Sequence, residues 1–555
     1  MVRWYNPLIL LRSGVRTVAT TTIGWVIDYR EIQANLDPIG PENDFGTYDY
    51  RDGGKAQEIW IDYVADLGDG WDATFTVAQA LAADTLTFDG GEVPRGEILI
   101  MGGDQVYPDP SGDAYKERTI NPYRQACGGV APFKADLFAL PGNHDWYDGL
   151  HDFNEVFCSS RRRYRRGDGY HFDCWETRQS RSYFALRLPH GWWLCGIDIQ
   201  LNRRLNAAQL EYFQTVSEEL MQPGDRIILC AATPSWVIEV VREPGTTRNL
   251  VEVADLLGRS GAETKLVLSG DLHHYSHYTP RSQGPDLVTA GGGGAFLHPT
   301  HKLPAETALT WKNGTTDRFD LGAVAPEKAK SWRLSYRNLL FPFINWECAL
   351  LIGCIYAVLS WFLETRQPIG NQSLSEAFQN MMSGHTSVAA TLARFFETIP
   401  KSPEFAILVA IAFAALVGFN VNGGRTARLA LGIVHTLAHF VALILAFCIA
   451  AQLNGVIVAQ HGSATGGFTL FLGMMVLFGG LLGGLVFGLF LLVSLNVFGL
   501  QWTNAFSSLR IADHKCFLRL HIGADGALTV HPFKIDKTGS DPSPPDLIET
   551  PFTLK

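Results

Sequence analysis

The chain changes its hydrophobic rhythm twice. Residues 47–310 alternate short apolar runs with amphipathic stretches, residues 339–500 are dominated by long apolar runs, and residues 501–555 return to a mixed pattern. Short apolar runs bounded by turn residues predict buried strands, and their alternation with amphipathic segments predicts an α/β architecture. Such runs stand at Ile59–Ala65, Ile98–Met101, Leu137–Leu140, Ile227–Ala231 and Leu266–Ser269. A further strand is predicted at Leu287–Ala290, ending in the glycine run Gly291–Gly294. After the first run, Phe75, Ala78 and Leu81 fall near helical spacing.

The second rhythm is that of a membrane protein. Leu339–Leu363, Phe405–Val421, Leu429–Ala451 and Phe468–Leu500 are candidate spans, which gives a region of about four helices over 339–500. The last is 33 residues long, about 50 Å if helical against a hydrocarbon core of about 30 Å. One long helix is expected there rather than a hairpin broken at Gly479-Gly480 or Gly483-Gly484. Gly480, Gly484 and Gly488 give it a small-residue face of the kind that lets helices approach closely, within one chain or between two copies. His435 and His439 share a helical face in the third span, where an interhelical hydrogen bond is expected ahead of a metal, proton or lipid role. Beyond the spans, Phe517–Ile522 and Ala527–Val530 flank Gly523–Gly526 and predict a β-hairpin. Asp541–Lys555 is expected to be a loose tail. Pro7–Ile27 is fairly apolar but interrupted by Arg12 and Arg16, which predicts a core element or a segment on the membrane surface.

Charge and composition narrow the classes. A formal charge of -10 argues against nucleic acid, whose phosphates need a basic face. The 9 Cys are scattered without CxxC pairs, the pattern of reduced thiols in a cytosolic compartment. Lys328, Lys330, Arg333 and Arg337 precede the first span, Arg425 and Arg428 lie between the second and third, and Arg510, Lys515 and Arg519 follow the fourth, whereas 452–467 has no Lys or Arg. The positive-inside rule then places the polar domain and the C-terminus in the cytoplasm of a multi-pass cell-membrane protein.

Five strand runs of the polar half each end in a group that could bind metal or line its site. Asp66-Leu67-Gly68 follows the first, Gly103-Asp104-Gln105-Val106-Tyr107 the second, and Gly142-Asn143-His144-Asp145 the third. Ala232-Thr233-Pro234 follows the fourth, and Gly270-Asp271-Leu272-His273 the fifth. In this order the set resembles the calcineurin-like metallophosphoesterases. Asp-x-Gly paired with Gly-Asp-x-x-Tyr is similar to the purple-acid-phosphatase variant, in which a tyrosine takes the place of the first motif's missing histidine. Two departures remain: Ala232 stands where the family has a histidine, and Asp271 where it has another.

The resemblance implies a four-layer αββα sandwich over 47–310, followed by an all-α transmembrane bundle and a small C-terminal β-hairpin. The expected divisions are a lead-in at 1–46, the phosphoesterase domain at 47–310, a basic linker at 311–338, the membrane region at 339–500, and a cytoplasmic hairpin and tail at 501–555. The resemblance also implies two metal ions. Asp66, Asp104, Tyr107 and His273 would hold the first, iron or manganese. Asp104, Asn143 and Asp271 would hold the second, and their hard oxygen donors suit manganese or magnesium. His144 would act on the leaving group. Arg161, Arg162 and Arg163, in a basic run ending at Arg166, are candidates for holding an anionic substrate such as a phospholipid headgroup. The competing readings are a degenerate sensor or scaffold, and a regulatory domain on a transport module. Few ionisable groups beyond Glu347 and the histidine pair lie in the spans, which disfavours transport.

Overall fold

The computed structural model describes residues 1–12, 47–51, 58–88, 90–128, 134–158, 170–199, 205–242, 244–365, 372–419, 425–461 and 464–555. Most of the N-terminal lead-in and the whole Arg161–Arg166 run lie outside them. The chain divides into two compact units, one of Met1–Val2, Arg12–Trp332 and Arg510–Lys555, the other of Arg3–Leu11 and Arg333–Leu509.

The first unit is built on two sheets. Ile59–Val64, Ile98–Met101 and Ala135–Ala139 run parallel in the middle of an 8-stranded sheet. Arg226–Ala231, Glu263–Ser269 and Asp286–Ala290 run parallel within a 9-stranded one. These apolar runs are continuous because both their faces are covered. Ile61, Tyr63, Ile100 and Phe138 meet Leu194, Ile228, Leu268 and Val288 between the sheets. On the outer side of the smaller sheet, Val77, Leu81, Tyr123 and Phe153 pack from helices onto Leu99, Met101 and Leu137. Arg248–Gly258, with Leu250, Val253 and Leu257 buried, packs on the Glu263–Ser269 strand. The result is the expected α/β sandwich.

The unit does not end where the apolar rhythm suggests. The stretch read as a basic linker contributes the Thr316–Ala325 strand, paired antiparallel with Tyr275–Pro280 and Glu306–Thr310. The C-terminal hairpin is present as Lys515–Ile522 and Leu528–Ile535, and it is no appendage. Lys515–Ile522 adds antiparallel to Ile59–Val64, so residues from both ends of the chain share one sheet. Arg519 sits opposite Asp62 in that register and donates to its carboxylate at 2.6 and 3.1 Å, both side chains fully buried. Slipping the register by one residue would strand two buried charges, a loss on the order of 3–5 kcal/mol. The expectation of reduced thiols is also corrected, since Cys127 and Cys174 form a disulfide with a Cα–Cα separation of 5.8 Å.

In the second unit, Trp346–Glu364, Thr426–Ala459 and Gly467–Asn496 are long and apolar enough to cross a membrane. The remaining candidate span appears as the 17-residue helix Pro403–Phe419, which follows Val388–Lys401 at a bend of 92°. The last apolar stretch is one unbroken helix, Ala464–Asn496. Its glycine face packs inside the unit: a Cβ at Gly480 would meet the Ala349 carbonyl oxygen at 2.8 Å, and one at Gly484 would meet Pro342. His439 shares a hydrogen bond of 2.8 Å between Nδ1 and the Tyr356 hydroxyl, linking the third candidate span to the first.

The C-terminal tail is held rather than loose. Phe552–Leu554 pairs with Leu528–Val530, and Phe552 stacks on His277 at 4.3 Å. His277 lies between two carboxylates, 2.9 Å from Glu549 and 2.8 Å from Asp286. Burial pulls its proton affinity down, but the hydrogen bonds to Asp286 and Glu549 outweigh burial and raise its pKa to about 9. A folded pKa above the unfolded value of about 6.5 gives stability that is complete below pH ~6.5 and lost as pH rises through about 9, on the order of 3 kcal/mol. The thermal midpoint of the full chain should therefore fall between pH 7 and pH 9.5, and Glu549→Gln should flatten that fall. An identical slope in the variant would remove His277 as its source.

Candidate functional site

The strand ends of both sheets converge on one pocket, and they do so through unusual backbone. Asp66, Asp104 and Asp271 sit at φ 62°, 50° and 61°, a left-handed conformation that costs an aspartate about 1–3 kcal/mol. Each is held by hydrogen bonds. The Asp66 amide donates to the Gly103 carbonyl and the Ala295 amide to the Asp66 carbonyl, both at 2.9 Å. The Asp271 amide donates to Asp66 Oδ1 at 3.1 Å.

Gly68 explains the first motif. It has φ 66°, and a Cβ there would lie 2.5 Å from the Gln105 carbonyl oxygen. No histidine fits at that position because the Asp104–Tyr107 turn occupies the space. The turn that excludes a side chain at Gly68 is the one that carries Tyr107. Its hydroxyl lies 3.0 Å from Asp104 Oδ2, 3.0 Å from His273 Nε2 and 3.3 Å from Asp66 Oδ1. The four residues read as one metal's ligand set thus meet around a single phenol oxygen.

The third motif closes the pocket. The His144 amide donates to Asp104 Oδ1 at 2.9 Å, and its ring Nδ1 bonds the Pro108 carbonyl at 2.7 Å. The Asn143 amide nitrogen donates to the Tyr147 hydroxyl at 3.2 Å. Gly142 is required here because a Cβ would run into Asp104. Asp145, the last residue of the motif, is fully buried; it accepts from the Gly142 amide at 2.8 Å and the Tyr115 hydroxyl at 2.6 Å. It positions the turn. Ala232 lies against Gly103, whose added Cβ would come within 2.8 Å of the alanine methyl.

The electrostatics favour a cation. Burial and the neighbouring Asp104 and Asp271 push the Asp66 carboxyl well above the usual range, and burial raises Asp104. Burial and Asp104 lift Asp271 to about 6, against the lowering charges of Arg242 and His144. Burial, Asp104 and Asp66 raise the Tyr107 phenol, and burial drives His273 well below its ordinary value. The raised carboxyls and phenol disfavour the deprotonated state in which each could bind a metal, and positive charge among them would reverse those shifts, whereas the lowered His273 already keeps the neutral imidazole that a metal needs. Asp66 Oδ2 is buried without a hydrogen-bond partner among the described residues, as expected of an atom kept for a cation. Among those residues no group of three or more His, Cys, Asp and Glu is arranged to hold a metal.

Sequence reasoning missed several contributors. Lys515 is buried, donates from Nζ to the Ala295 carbonyl at 2.6 Å, and is held down to about 8 by burial. It arrives from the C-terminal strand, more than two hundred residues away in the chain, and no local pattern marks it. Arg242, whose charge acts on Asp271, and His298, stacked on His273, lie outside every motif.

Residues 59–275 match the family model of the calcineurin-like phosphoesterases. No curated protein matches the sequence. Similar solved structures include GAP50, the anchor in the inner membrane complex of Plasmodium, at 12% identity and a TM-score of 0.32, covering 50% of this chain and 93% of that one. Purple acid phosphatase PPD1 from yellow lupin (Lupinus luteus) seeds shares 15% identity at a TM-score of 0.28, over 43% of this chain and 45% of its own. PhoD shares 10% at 0.27, over 43% and 58%. At these values the structural likenesses add nothing to the family match.

Proposed function

We propose that this chain, whose residues 59–275 match the calcineurin-like phosphoesterase family model, is a membrane-anchored hydrolase of phosphoric esters that works with two metal ions. The observation that carries the reading is the meeting of Asp66, Asp104 and His273 on the Tyr107 hydroxyl within 3.3 Å. Asp66, Asp104, Tyr107 and His273 would hold one ion, iron or manganese. Asp104, Asn143 and Asp271 would hold the other, manganese or magnesium, since Ala232 and Asp271 supply no imidazole there. Bound metal would neutralise phosphate charge and lower the pKa of an attacking water.

The protein's own groups do the rest. With Nδ1 donating to the Pro108 carbonyl, the His144 ring is fixed, and Nε2 is the atom that holds or releases a proton to the leaving oxygen. The Asp104 carboxylate holds the His144 amide, tying the acid's position to that of the metal ligands. Anchoring by apolar helices favours a substrate in or near the bilayer, a phospholipid or lipid-linked phosphate, with Arg161, Arg162 and Arg163 as headgroup contacts. The basic residues flanking the apolar helices support a cytoplasmic domain. The Cys127–Cys174 disulfide favours an oxidising compartment instead. We give the charges more weight because they act as the helices insert, whereas a thiol pair can oxidise after extraction. Protease access to the domain in intact cells decides between them.

Two outcomes test the chemistry. Asp104→Asn should lower turnover of aryl phosphates and phosphodiesters by at least about a hundredfold, roughly 2.7 kcal/mol, while the protein stays folded in the membrane. Wild-type turnover with unchanged metal content would sink the assignment, and a wild type inactive on every ester would favour the scaffold reading. Titrating manganese into stripped protein should reveal two unequal sites, the weaker emptied by dialysis. Two equally tight sites would mean that the ligand sets are wrong.

A further inference from the structure

His298 follows Gly291–Phe296 after Leu297 and belongs to no motif. Its ring is clamped to His273 in both directions. The His298 amide donates to the His273 carbonyl at 3.3 Å, and the His273 amide donates back to His298 Nδ1 at 3.4 Å. The two rings are parallel within 6° and 4.1 Å apart. His298 is only 3% exposed.

The hydrogen bond fixes the tautomer. Nδ1 accepts, so a neutral ring carries its proton on Nε2. A metal ligand needs a bare lone pair, so His298 does not replace the imidazole missing at Ala232. Its Nε2–H is a donor, and Nε2 is buried with no partner among the described residues. Buried donors of this kind are almost always satisfied. The surroundings suit an anion: the Arg242 charge acts on both His298 and Asp271, and Asp271 and His144 are only partly buried. His273, the residue clamped to His298, presents Nε2 to the Tyr107 hydroxyl.

We propose that His298 is a substrate-contacting residue whose Nε2–H donates to an oxygen of the phosphoryl group, a second imidazole contact besides His144. This rests on the metallohydrolase reading above. It differs from a purely structural stack because the donor, and not the ring's shape, is what matters. It differs from a metal-holding role because metal occupancy should not depend on it.

The test uses the full-length protein in detergent, loaded with manganese, with inorganic orthophosphate as the probe and metal per protein measured in parallel. His298→Phe keeps a flat ring against His273 but has no donor; it should weaken phosphate binding about tenfold at unchanged manganese content. His298→Gln, which restores an N–H at a similar reach, should recover part of that loss. Phosphate affinity equal to wild type in His298→Phe would overturn the proposal. So would loss of manganese in step with phosphate in both variants, which would make the residue a support of the centre. A wild type that binds neither manganese nor phosphate would overturn the metallohydrolase reading itself, and this proposal with it.

Discussion

The buried carboxylates of Asp66 and Asp104 repel each other and the partly buried Asp271, and the phenol of Tyr107 hydrogen-bonds Asp66 and Asp104. Left alone, such a group would be neutral or disordered. The architecture around it holds the carboxylates together. Left-handed aspartates, glycines where any methyl would collide and a clamped imidazole all serve that one purpose. Lys515 brings a buried cation to the same neighbourhood from the far end of the chain.

Much of this was legible because its signals are local. Each metal-ligand candidate follows an apolar strand run directly, so strand, turn and ligand appear together within about ten residues of sequence. The exchange of a histidine for Gly68 and Tyr107 was legible as chemistry. The steric reason, the Gln105 carbonyl against Gly68, was not.

What escaped depends on distance along the chain. Nothing near Lys515–Ile522 announces that its partner is Ile59–Val64, because a hairpin pattern specifies only its own two strands. Thr316–Ala325 reads as linker because much of its length is polar or partly exposed, although it is paired on both sides within the sheet. By composition the tail reads as loose, yet Glu549 and Phe552 find partners in the Tyr275–Pro280 strand. The disulfide joins cysteines 47 residues apart that no spacing rule pairs. His298 follows a glycine run that carries no helical or strand periodicity.

The strand that returns to the sheet also counts the helices. The chain leaves the first unit at Trp332 and re-enters it at Arg510, a few residues before it pairs with Ile59–Val64. Both ends of the intervening segment therefore belong to one folded body and must emerge on the same side of any bilayer. The number of crossings between them is even. Among the described residues, three straight spans alone do not satisfy that parity. Either the bent pair Val388–Lys401 and Pro403–Phe419 completes a fourth crossing, or one of the three apolar helices lies along the membrane instead of through it.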